Sequence, residues 1–171
     1  DKVCQPPPKK GKLVINKYTK GGDDYFQFYG NPLPIAFQLR TSGGFGTKEV
    51  EVEPGTKENP IRYNIAELLP DHWYFDGAFC DRSFILTTNS VEEVSVESEE
   101  TTTCNFYNVK NGNLKIINNN LSFASAGDET AHYAVIPTPI YESITTVNGK
   151  GEGALHELRP ANYVINQKID L

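Results

Sequence analysis

The sequence predicts an all-β fold built as tandem β-sandwiches, the second incomplete, and three observations carry that expectation. The composition favours Thr, Val, Ile, Tyr, Phe, Asn and Gly, residues of pleated strands and tight turns, with few helix-forming runs. Short stretches alternate apolar and polar residues, the period of a strand with one buried face. Several stretches then recur in the same order in the second half of the chain, which argues for two copies of one domain.

At 171 residues the chain is long enough for one or two small domains with real cores. The net charge is −6 and the basic residues are scattered, so phosphate backbones are repelled and nucleic acid is not an expected partner. No run of about eighteen apolar residues occurs, so no membrane span is expected, and no signal peptide is visible. The chain has no methionine at all, which suggests a processed product or a piece of something larger.

Residues 1–10 include Pro6-Pro7-Pro8 and read as a stiff polyproline linker or tail. Residues 11–18 form the first expected strand, with Leu13, Ile15 and Lys17 on one face. After the Gly21–Gly22 turn, residues 25–28 resume a strand with Phe26 and Phe28 together, and residues 35–40 follow as another. The glycine-rich loop 42–46 lacks the Walker lysine and a following helix, so it reads as a hairpin turn and not a phosphate cradle. Residues 49–53 alternate Glu and Val, a strand with one wet face. In residues 62–67, Tyr63, Ile65 and Glu67 share a side. Residues 68–75 carry Trp73, expected over an end of the sandwich, and residues 79–86 and 91–96 are the next expected strands. The acidic run 92–97 lacks the spacing and turn glycine of a calcium loop and reads as a solvated strand face. In residues 103–108, Cys104, Phe106 and Asn108 share one face, which carries the Asn108 amide indoors where an unpartnered polar group is costly.

Three cysteines cannot all pair within one chain. Cys80 and Cys104 lie at the ends of strand-like stretches, and a bridge between them would close a loop of moderate length and stabilise by roughly 3 kcal/mol. The bridge is the favoured reading over two buried thiols, and it implies an oxidising compartment. Cys4, in the tail, could bond another chain or remain a plain thiol.

The repeat is visible residue by residue. Residues 112–118 mirror 11–17, residues 144–151 mirror 39–46, and residues 163–167 mirror 63–67. The second copy ends soon after the strand equivalent to the one bearing Glu67, without a counterpart of residues 79–108. The expected organisation is therefore a tail (1–10), a first sandwich (11–110) and a second, truncated or strand-lacking copy (111–171).

The run GKLVINKYTKGGDDYFQF, then YNIAE with Pro70 and Trp73, then Cys80, then TTTCNFYN, resembles the prealbumin-like B-type repeat of microbial surface adhesins and pilins. The likeness covers residues 11–109, and residues 112–171 more weakly. It implies a prealbumin-like (transthyretin-like) or Ig-like β-sandwich serving as a stalk or filament module outside the cell. It also implies a self-made isopeptide crosslink between Lys17 and Asn108, with Glu67 as the catalytic acid. Strand parity supports the same three residues: each lies on the apolar face of its strand, and a sandwich core about 10 Å thick would bring them within reach. In the second copy the matching positions are Asn118 and Gln167, which are neither amine nor acid, so no such bond is expected there.

The expected function is structural: a surface stalk, adhesin or filament module, with neighbouring subunits or domains of the same surface protein as partners and strand exchange between them as one route to assembly. It is not an enzyme beyond one intramolecular turnover, and it calls for neither cofactor nor metal. The rival is a module binding carbohydrate or host protein through end loops, with His72, Trp73, Tyr74 and Phe75 as first suspects. A buried Trp73 would weaken that rival. The triplet Asn120-Leu121-Ser122 is a glycosylation sequon of a kind that often arises by chance.

Overall fold

The computed structural model describes residues 9–32, 36–56, 58–82, 85–119, 130–137, 140–148 and 150–168. Cys4 and the Asn120 sequon lie outside the described residues. The protein is all-β, and no helix occurs among the described residues. It divides into two compact units, Asp1–Lys110 and Asn111–Leu171.

The first unit contains β1 (Gly11–Lys20), β2 (Tyr25–Asn31), β3 (Phe37–Arg40), β4 (Phe45–Val52), β5 (Arg62–Leu68), β6 (Trp73–Cys80), β7 (Ile85–Leu86), β8 (Ser90–Ser95) and β9 (Thr101–Lys110). They form two sheets, ordered β4-β1-β9-β6 and β3-β2-β5-β8-β7. Neighbours are antiparallel except β1 and β9, the strands nearest the two ends of the unit, which run parallel. Alternation in the sequence becomes alternation in space. Leu13 and Ile15, Phe26 and Phe28, Tyr63 and Ile65, and Cys104 and Phe106 all enter one core shared by both sheets.

Local chemistry explains several details. Ser42 pairs with Phe45 across Gly43 and Gly44, whose φ values of 63° and 83° suit glycine in a two-residue hairpin turn. The amides of Gly43 and Gly44 donate to the Asp23 carboxylate, both at 2.8 Å. The expected tight turn is therefore present, although β3 and β4 enter different sheets and do not pair as a hairpin, and the turn's amides are occupied by the protein's own carboxylate. Trp73 is buried, packs edge-on against Phe26 and donates its indole N–H to Asp24 at 2.9 Å.

One stretch differs from the sequence reading. Residues 73–80 form a single strand where an end loop and a later strand were expected, and β7 is a separate short strand. The cause is a bulge: pairing with β9 shifts register between Phe75 and Gly77, and Gly77 takes φ 150°. Asp76 is the one extra residue, lying between the Phe75–Asn108 and Gly77–Tyr107 pairs, and it bends a continuous strand. The bulge also sets Cys80 directly opposite Cys104, and the two form the expected disulfide.

The second unit contains β10 (Gly112–Asn119), β11 (Thr130–Ile136), β12 (Ile140–Thr145), β13 (Lys150–Leu158) and β14 (Val164–Lys168). Its sheets are β10-β13 and β12-β11-β14. The pairing repeats that of β1 to β5. Lys17 faces Gly46 as Asn118 faces Gly151, and Phe28 faces Glu67 as Tyr133 faces Gln167. Each of these glycines lies under an aliphatic side chain, Leu39 in one unit and Ile144 in the other. A smaller core of Ile116, Tyr133, Val135, Ile144, Leu155 and Leu158 holds the unit together.

Candidate functional site

The three polar residues singled out in the sequence meet in the core of the first unit. Lys17 continues the inward face of β1 begun by Leu13 and Ile15, and it is 0% exposed. Glu67 continues the inward face of β5 and is 1% exposed; Asn108 continues that of β9 and is 2% exposed. Burial at these positions follows from the two-residue period: once the neighbouring apolar side chains enter the core, these must follow.

One carboxylate oxygen joins the group. Lys17 Nζ lies 2.8 Å from Glu67 Oε1, and Asn108 Nδ2 donates to the same oxygen at 2.9 Å. The Lys17 contact has ion-pair distance without hydrogen-bond direction, so the amine has no aligned acceptor. Glu67 Oε2 and Asn108 Oδ1 are also buried without a hydrogen-bond partner among the described residues. The surroundings are aromatic. Lys17 Nζ sits 4.5 Å from the centre of the Phe26 ring. Phe106 pairs with Lys17, Phe28 with Glu67, and Phe75 with Asn108 on the adjoining strands. The parity of Phe26 and Phe28 was readable in sequence, but their role as walls of a polar site was not, because it depends on which strands become neighbours.

Such a setting penalises charge. Burial pushes Lys17 down from 10.5 to about 8, against the opposing pull of the Glu67 carboxylate. Burial likewise pushes Glu67 up from 4.5, opposed by Lys17 and by the Asn108 hydrogen bond. Both shifts favour the neutral pair: a free amine, which is a nucleophile, and a protonated carboxyl, which is a donor. Turning the Asn108 amide about its terminal bond exchanges nitrogen for oxygen without changing shape. A protonated Glu67 then donates to the carbonyl oxygen and polarises the carbon beside it.

The second unit is different at the matching positions. Asn118 is half-buried and Gln167 is exposed, and neither is an amine or an acid. The end-loop candidates do not assemble into a platform. Trp73 is 5% exposed, Phe75 packs on the core, and His72 and Tyr74 point to the surface. Among the described residues, no group of three or more His, Cys, Asp or Glu side chains could hold a metal ion. No helix among them is long and apolar enough to cross a membrane. Comparison with protein-family models and with curated proteins finds no match to this chain.

Proposed function

We propose that this chain is a structural module of an extracellular surface stalk, adhesin or filament, and that its first unit closes itself with an isopeptide bond between Lys17 and Asn108. The observation that carries the reading is the convergence of amine, acid and carboxamide, each at most 2% exposed, on one oxygen of Glu67. Resemblance of the first unit's motifs to the prealbumin-like B-type repeat points the same way, and the Cys80–Cys104 disulfide suits an oxidising compartment.

The reaction balances without a co-reactant. The neutral Lys17 amine attacks the Asn108 side-chain carbonyl carbon, and protonated Glu67 stabilises the developing oxyanion. Glu67 then relays the amine's proton to the departing nitrogen. The C–N bond to ammonia breaks as the new amide forms, so one ammonia leaves and Glu67 is regenerated. It is a single turnover within one chain. The product joins β1 to β9, the strands nearest the two ends of the unit, and tension applied there passes through the crosslink.

Assembly with neighbouring subunits or domains fits the second unit. In the first unit β9 flanks β1 and β8 flanks β5; among the described residues β10 and β14 have no neighbour on the corresponding edges. Ile65 is fully buried while its counterpart Ile165 is 43% exposed. A strand donated from a neighbour would cover it by extending the sheet.

Intact mass spectrometry of the reduced protein tests the crosslink. The expected mass is one ammonia below that of the sequence, with the deficit abolished by Lys17→Ala, Glu67→Gln or Asn108→Ala. The full sequence mass in the unaltered chain overturns it.

A further inference from the structure

Glu67 lies next to last in β5, where a strand's ladder ordinarily loosens, and the following Leu68 is 52% exposed. Yet its carboxyl must be held to a fraction of an ångström if it is to serve both amine and amide. On one side β2 supplies a partner, with Phe28 opposite Glu67. On the other side β8 begins only at Ser90, which pairs with Ala66. The gap is closed by a single residue of the β7–β8 hairpin tip. The Glu67 main-chain N–H donates to the Asn89 carbonyl at 2.9 Å, and the Asn89 side-chain amide donates back to the Glu67 carbonyl at 2.9 Å. The tip is itself closed by the Thr87 N–H on the Ser90 carbonyl and by a contact between the Thr87 and Ser90 hydroxyls.

We propose that Asn89 is a positioning residue for crosslink formation, clamping the Glu67 main chain so that its carboxyl stays seated between Lys17 and Asn108. The inference rests on the crosslinking reading above and adds a residue that touches none of the reacting atoms. Only the side-chain half of the clamp is open to substitution, because the main-chain half survives any replacement. Loss of the side-chain donor frees the Glu67 carbonyl and lets the end of β5 drift. Small misplacements of a reacting group are costly in rate. A drifting carboxyl is also less completely dehydrated, so it gives up its proton at lower pH.

The test follows ammonia loss by intact mass as chemically synthesised full chain, never previously folded, folds from denaturant into oxidising buffer across a range of pH. Asn89→Ala and Asn89→Leu are compared with the unaltered protein; the second keeps a similar side-chain volume, adds no charge and removes the donor. Near-UV circular dichroism of Trp73 reports folding in each. In whichever variant folds, we expect crosslinking slowed on the order of ten-fold or more, with the high-pH limb of the rate profile, where Glu67 loses its proton, moved to lower pH. An unchanged rate in a folded variant overturns the inference. A slower rate with an unmoved pH profile also overturns it, since general loosening would do that. Failure of both variants to fold assigns Asn89 to the fold and not to the reaction. Absence of ammonia loss in the unaltered chain sinks the crosslinking reading itself, a result distinct from all of these.

Discussion

A lysine with no exposure and a carboxyl beside it is an unstable arrangement unless something neutralises or consumes the charges. Each ion costs several kcal/mol to bury, and removing one partner of a buried pair strands the other. The Asn108→Ala variant keeps Lys17 and Glu67 unbonded, so their titrations become visible in stability. The Lys17 amine, lowered to about 8 in the folded state from 10.5, binds fewer protons there than in the unfolded chain. Stability should therefore rise with pH across that interval, by on the order of a few kcal/mol. Glu67 works in the opposite sense. Its carboxyl is pushed up from 4.5, so the folded state holds the extra proton, and stability should fall as pH climbs from there through the folded value. Urea unfolding at a series of pH values checks both limbs. A flat profile across both intervals would mean that these groups are not buried as described.

At the level of strands, two features predict measurable losses. The disulfide links directly opposed residues of β6 and β9, which are 24 apart in sequence. Replacing both cysteines by serine should cost about 3 kcal/mol through the freed unfolded chain. The Lys17–Asn108 crosslink should still form, because none of its three residues depends on the bridge. Thermal unfolding and intact mass report these two outcomes separately. The connection from β3 to β4 is the second feature. A Cβ at Gly46 would lie 2.3 Å from Leu39 Cδ2 and 2.5 Å from the Arg40 carbonyl oxygen. Leu39 can rotate away but the main-chain oxygen cannot, so Gly46→Ala should destabilise by roughly 1–3 kcal/mol, the range for overpacking. Chemical denaturation of the purified variant measures it.

Across the whole molecule, the two units should differ in how they open. The first has a two-sheet core sealed by β6 to β9, whereas the second has a smaller core, and among its described residues β10 and β14 lie at edges whose counterparts β1 and β5 are flanked by β9 and β8. Amides of β10 and β14 should exchange with solvent faster than those of β1 and β5 in a hydrogen-exchange time course. Under tension applied at Gly11 and Lys110, the proposed crosslink shields residues 18–107 from load. A single-molecule pulling trace should show no extension of that segment, and Lys17→Ala should release it except for residues 81–103, which the Cys80–Cys104 disulfide still bridges. Only one ammonia should be missing from the chain, since Asn118 and Gln167 cannot supply an amine and an acid.

The sequence alone determined most of what is local. Parity placed Lys17, Glu67 and Asn108 on buried faces, because a strand offers only two sides and apolar neighbours choose between them. Repeated stretches pointed to a second copy, and β10 pairs with β13 and β11 with β14 as β1 pairs with β4 and β2 with β5; Cys80 and Cys104 were matched from their places at strand ends. The continuous β6 was hidden because its inward alternation changes phase between Phe75 and Ala78, and only pairing with β9 shows the change to be a bulge. Tertiary structure decided which strands became neighbours. That choice made Glu67 Oε1 the common partner of Lys17 and Asn108, lined the site with phenylalanines from other strands, and brought Asn89 onto the end of β5. Contacts of this kind are long-range. Their geometry depends on how two sheets pack, and no single stretch of chain encodes it.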